Sequence, residues 1–200
     1  TPEIVPIAGV LHDAYPRHID SHRAARMPVV AHTDATGADH NESCALSALT
    51  ISAQADGAAC VLLISPRAAA RLQTRPQAMW VAHASVGSAP EWPLLAAEHA
   101  ARAALKRAHL ADASTMRFVE LHDAFAVQGL SFAEHLGLAP ERLNPTGGGL
   151  ARGHPLGASA AIALVRLLAN LAQQHTSGAE GLVAVAGAGG LGAATVVRWL

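Results

Sequence analysis

The stretch NPTGGGLARGHPLGASAAIAL, Asn144–Leu164, decides how the rest of the chain is read. Glycines crowd a single histidine, and an apolar helical pattern follows at once, predicted over Gly157–Gln174. Glycine admits positive φ and close backbone approach. His154 precedes Pro155, which pushes its backbone toward extended geometry. A helix entry offers unbonded N–H groups and a positive dipole end. An imidazole held there can stabilise an oxyanion or activate a neighbouring nucleophile. On these residues alone, an ordinary glycine-rich helix entry with a bystander histidine stays equally open. The stretch is no P-loop, because the Lys-Ser/Thr pair is missing. Nor does GGGLARG carry the G-x-G-x-x-G spacing of a dinucleotide site.

Working outward, ELHDAF (Glu120–Phe125) closes a predicted strand, Met116–Asp123. His122 and Asp123 therefore stand at a strand end, where open α/β sheets place their ligands. A helix is expected from Ala124 to Leu136, stopped by Gly137. Downstream, GLVAVAGAG (Gly181–Gly189) and GAATVVRWL (Gly192–Leu200) read as two strands joined through glycines. Upstream lie a strand at Ala78–Gly87 and a helix opened by Pro93. DGAACVLLIS (Asp56–Ser65) reads as a short buried strand, with Cys60 inside it as packing, before a short helix at Arg67–Leu72. This order predicts an α/β protein with a mostly parallel or mixed sheet flanked by helices. Residues 1–45, with scattered Pro, His and Asp, read as an irregular arm.

Composition narrows the function classes. Hydrophobic residues make up 51% of the 200, and only 14% are charged, enough for a sizeable core and too little charge for disorder. Net charge is -1 with no basic stripe, which argues against a nucleic-acid binder. No apolar run is long enough for a membrane span and no signal peptide is visible, so a cytoplasmic protein is expected. Two cysteines, Cys44 and Cys60, fit a reducing compartment better than a disulfide scaffold. Cys44, in NESCALS, is a candidate nucleophile without a basic neighbour in sequence. His12, His18 and His22, with Asp13 and Asp20, lack an element to aim them, so no metal site is expected.

Three motifs line up in order. NPTGGGLARGHPLGAS (Asn144–Ser159) resembles the thiolase signature N-x-x-G-G-x-x-x-x-G-H-P-x-G-A-S/T. ELHDAFA resembles the thiolase block E-L/I-N-E-A-F-A, in the His-Asp version of sterol-carrier-protein-type and archaeal thiolases. GLVAVAGAGGLGAA resembles the C-terminal C-x-G block. EIVPI (Glu3–Ile7) and DGAACVLL match the middle of the family. The resemblance spans nearly the whole chain, but only about the second half of a thiolase. It implies a layered αβαβα core and acyl transfer between coenzyme A thioesters, with no permanently bound cofactor. It divides the chain into a loop-region arm (1–45), the last strand and helix of an N-terminal domain (46–75) and the C-terminal domain (76–200).

By the same resemblance, His154 would activate the cysteine, carried by the N-terminal half, that takes up the acyl group, and would help bind the thioester oxygen. His122 takes the place of the Asn that holds a catalytic water. Asp123, Phe125, Asn144, Gly147, Gly148, Gly187 and Ala188 would surround the substrate. The C-x-G cysteine, which shuttles the substrate α-proton, is Ala186 here, and the alternative cysteine position of H-D-C-F is Ala124. A methyl group neither takes nor gives a proton, and losing a general base typically costs about 10²–10⁴-fold. The chain alone is therefore expected to be inactive as a thiolase. A partner completing it, either the missing half or a second copy in a dimer, is expected. Two alternatives stand beside that reading: a CoA-binding subunit without chemistry, and a component of a thiolase-like aldolase. For the aldolase, Tyr15 is the sole tyrosine and lies in the arm.

Overall fold

A computed structural model describes residues 3–33 and 44–200. Its centre is a four-stranded sheet. The strands are β3 (Ala78–Gly87), β4 (Phe118–Leu121), β5 (Glu180–Gly187) and β6 (Leu191–Trp199), in spatial order β3-β6-β5-β4. β5 and β6, the two strands joined through glycines, form a hairpin. A short turn can join only antiparallel neighbours, and β3 then adds antiparallel to β6. Only β4 runs parallel, beside β5, so the sheet is mixed.

Helices cover both faces, as the sequence order predicts. α3 (Ala96–Arg107) and α4 (Ala126–Leu136) pack on one face, and α6 (Ser159–Gln174) on the other. The reason lies in the side-chain period. Leu182 and Ala184 of β5 join the α3–α4 core, while Val183 between them joins the α6 core. In α3, Ala97, Ala100, Ala101 and Ala104 are fully buried at helical spacing. Such a small-residue face lets the helix lie close to the sheet. Gly192 of β6 is the counterpart, since a Cβ there would run into the carbonyl of Ala96.

Several local expectations shift. α4 starts at Ala126, two residues late, because Phe125 is extended (φ -134°). It ends where expected, with Gly137 left-handed at φ 61°. α6 starts at Ser159, after a turn over residues 156–158. The arm is not wholly irregular. It holds α1 (Ser21–Ala25), capped by Asp20, and β1 (Val29–Thr33), which pairs antiparallel with β2 (Cys44–Ser47). Part of NESCALS, residues 41–43, and the Cys44 side chain lie outside the described residues.

Asp56–Ser65 is not a strand. The segment runs without secondary structure into α2 (Pro66–Arg71), and Leu62 and Leu63 are 81% and 66% exposed. Cys60, expected to pack, is exposed as well. The composition is that of a strand, but among the described residues no neighbouring strand lies beside it to close its hydrogen bonds. A lone strand gains nothing to offset its ordering cost.

Candidate active site

The fold brings the two sequence-selected histidines together. His122 follows the last residue of β4, and its N–H donates to the carbonyl of Ala184 at 3.1 Å, one more rung of the β4–β5 ladder. His154 is tied to the 50–54 segment, where its N–H donates to Ala53 O at 2.7 Å. The two rings lie 3.9 Å apart between centroids, inclined by 36°.

The glycine loop sits directly on this pair. It folds as a single turn of helix, α5 (Gly149–Arg152), which the sequence reading missed. Gly149 backs onto the His122 ring, and a Cβ there would lie 2.6 Å from Cε1. A Cβ on Gly148 would collide with the Asp123 carboxylate and the Asn144 amide. Gly147 has φ 91° and Gly153 φ 90°, conformations that favour glycine. Asn144 is itself left-handed at φ 48°. Its N–H donates to Val119 O at 2.9 Å and its Oδ1 accepts from Leu121 N at 2.8 Å, so it staples the loop to β4. Asp123 accepts from the first N–H groups of α5, at Gly149 and Leu150, which otherwise lack intrahelical partners. Burial nevertheless pushes the Asp123 carboxyl upward.

Both rings are kept neutral. His122 is 4% exposed, and burial, with the nearby His154 and Arg152, lowers it to about 4. Its Nε2 has no hydrogen-bond partner among the described residues. Burial also lowers His154. His154 Nδ1 lies 2.7 Å from Ser159 Oγ, and that hydroxyl donates to Pro155 O at 3.0 Å. Ser159 has one proton to give. The assignment that makes both bonds puts a hydrogen on His154 Nδ1 and leaves the lone pair on Nε2.

The other sequence candidates fall in three places. Phe125 and Ala124 connect to the 50–54 segment: Phe125 bridges to Ile51, and Ala124 O accepts from Ser52 N at 2.8 Å. Ala186 is half-buried near the end of β5 and packs on the α3–α4 core. Gly187 and Ala188 stand exposed where β5 turns into β6. Among the described residues no group of three or more His, Cys, Asp or Glu side chains converges on a point that could hold a metal ion.

Sequence reasoning missed five residues that shape the site. Ser52 Oγ donates to Gly149 O at 2.7 Å, and Gln128 Oε1 accepts from Ala124 N at 3.0 Å. Ser159, Glu120 and Asn170 complete the set, with Asn170 Nδ2 donating to Glu120 Oε1 at 2.9 Å. A signal existed for some of them. Glu120 interrupts an apolar strand, and Arg166 and Asn170, four apart, interrupt the apolar face of α6. Buried polar residues at such positions need partners. Arg166 finds Thr146 in the glycine loop and Glu3 in the arm.

Comparison with known proteins follows the same residues. The family model described as "Thiolase, C-terminal domain" matches residues 74–199. The acetyl-CoA acetyltransferase of Chromobacterium violaceum is 37% identical over 143 residues, 72% of this chain and 36% of that protein. The cytosolic acetyl-CoA acetyltransferase of Mus musculus is 32% identical over 205 residues, 98% of this chain and 49% of that protein. The crystal structure of the Acat5 thiolase from Ascaris suum in complex with coenzyme A superposes with a TM-score of 0.82 at 25% identity, covering 100% of this chain and 50% of that one. The chain thus spans about half, or less, of the length of the relatives it matches. Since the model of that domain matches well over half of its residues, the chain belongs to the thiolase family, as a C-terminal portion.

Proposed function

We propose that this chain supplies the C-terminal part of an acyl-CoA acyltransferase, joining or thiolytically cleaving 3-ketoacyl-CoA esters, and that its nucleophile comes from an N-terminal half. The observation that carries this is the close, neutral histidine pair under the glycine loop. His154 Nε2, bearing the lone pair, takes the thiol proton of the incoming cysteine. The thiolate adds to the thioester carbonyl, and His122 donates an N–H to the developing oxyanion. His154 then returns its proton to the departing CoA sulfur, which completes acyl transfer to the cysteine; forming or breaking the carbon–carbon bond further needs a base for the α-proton, which the methyls of Ala124 and Ala186 do not supply. Asp123, Asn144, Gly147 and Gly148 shape the pocket around that centre, with Phe125, Gly187 and Ala188 beyond it. In this reading residues 46–75 belong with the N-terminal half, which covers the exposed Leu62 and Leu63. The complete enzyme is cytoplasmic and at least dimeric. Among the described residues no helix is long and apolar enough to cross a membrane.

Ala124 and Ala186 favour a second reading, a subunit that binds CoA esters without turning them over. One experiment separates the two. The protein is purified from its source with whatever chain accompanies it. Acetyl-CoA binding is measured by calorimetry and acetoacetyl-CoA thiolysis by absorbance. Thiolysis abolished by His154→Ala supports the enzyme. Binding without thiolysis supports the subunit, and absence of both refutes each.

A further inference from the structure

Glu120 has no exposed surface and stands two residues before His122, yet the acyl-transfer chemistry gives it no task. Three elements face it. From α6, Asn170 Nδ2 donates to Oε1 at 2.9 Å. From α5, the Arg152 guanidinium lies 3.9 Å from Oε2. From the end of β4, the Asp123 carboxylate adds a second negative charge. Oε2 makes no hydrogen bond among the described residues, so charge alone links it to Arg152. On its other side Arg152 donates to the carbonyl of Gly147. Two residues further on, Gly149 rests on the His122 ring. A continuous chain of contacts therefore runs from the buried carboxylate, through the guanidinium and the loop, to the histidine pair.

We propose that Glu120 is a positioning residue: its charge draws in Arg152, and Arg152 fixes the Gly147 turn that carries Gly149 onto the His122 ring. The proposal deepens the acyl-CoA reading in its consequence for catalysis, but the linkage belongs to this chain without any ligand. Burial raises the Glu120 carboxyl to about 7, so its charge changes near neutrality. Ionised, it holds Arg152. Protonated, it keeps the Asn170 bond and loses its pull on the guanidinium.

The test is an NMR titration of the full chain between about pH 5.5 and 8.5 without any CoA compound. It follows the Gly149 amide and the Cε1 proton of His122. Both are expected to move in one step near neutrality, although His122, lowered to about 4, takes no proton there. The His154 ring and the Asp123 carboxyl carbon, each read on its own resonance, separate their titrations from this step. Glu120→Gln keeps an acceptor for Asn170 and removes the charge, so the step is lost. In Arg152→Met, Glu120 still titrates but Gly149 and His122 no longer follow. A wild-type protein without the step overturns the proposal, and so does a step that survives either substitution. If Glu120→Gln does not fold, the wild-type and Arg152→Met titrations decide. Failure to bind CoA esters leaves this result standing, and loss of the step leaves CoA binding standing.

Discussion

Asparagine in place of His122 removes a buried proton site and keeps a polar side chain at the end of β4. The effect on stability follows from linkage. Burial lowers His122 from its ordinary 6.5 to about 4. The folded chain therefore holds this ring neutral over a range in which the unfolded chain takes up a proton. The contribution is fully present above about pH 6.5 and is lost as pH falls toward 4. Each tenfold in proton affinity corresponds to about 1.4 kcal/mol. The full window is then worth roughly 3.4 kcal/mol, of which roughly 2 kcal/mol is drawn between pH 7 and pH 5. Glu120 works in the opposite direction. Raised from 4.5 to about 7, it makes the fold more stable as pH falls through the same range. The two terms run against each other in the wild type, so its own pH profile isolates neither. The comparison of His122→Asn with wild type at each pH does. Urea unfolding near pH 7 and near pH 5 should show the variant gaining roughly 2 kcal/mol relative to wild type on acidification. An equal difference at both pH values refutes the neutral, buried state of His122 on which the site depends.

Other outcomes follow from single contacts. Ser159→Ala should cost about 1 kcal/mol in urea unfolding, and nitrogen NMR should show His154 losing its preference for the Nδ1–H tautomer. Gly149→Ala presses a methyl into the His122 ring, so about 1–3 kcal/mol of stability should be lost and the His122 ring resonances should shift. Gly192→Ala meets the Ala96 carbonyl rather than a movable side chain, so a larger loss is expected, with a lower urea midpoint and unchanged m-value. Leu167→Ala empties a fully buried position between α6 and the sheet and should cost about 2–5 kcal/mol by the same assay.

On the proposal made for Glu120, its ionisation acts on the loop and on the whole fold in opposite senses. Ionising it costs solvation energy and weakens the fold, while the same charge pulls Arg152 onto the Gly147 turn. Within the Glu120 contribution alone, global stability and local loop order are therefore expected to move in opposite directions across neutrality.

The amino-acid sequence by itself determined the elements whose reasons are local. β3 was legible to the residue, because Ala78–Gly87 is bounded by breakers and has strand composition. The end of α4 was legible because Gly137 alone there tolerates a left-handed turn cheaply. His122, His154 and the glycine loop were legible because their spacing repeats a family pattern. Asp56–Ser65 was misread because a strand exists only beside another strand, and composition says nothing about neighbours. Only the tertiary structure decided that two rings from separate segments would meet at 3.9 Å and that Ser159 would set one tautomer. It alone set Glu120, Asn170 and Arg152 beneath them. Those contacts join residues far apart in sequence, and their energies depend on burial, which the chain acquires only when the sheet and its helices close around them.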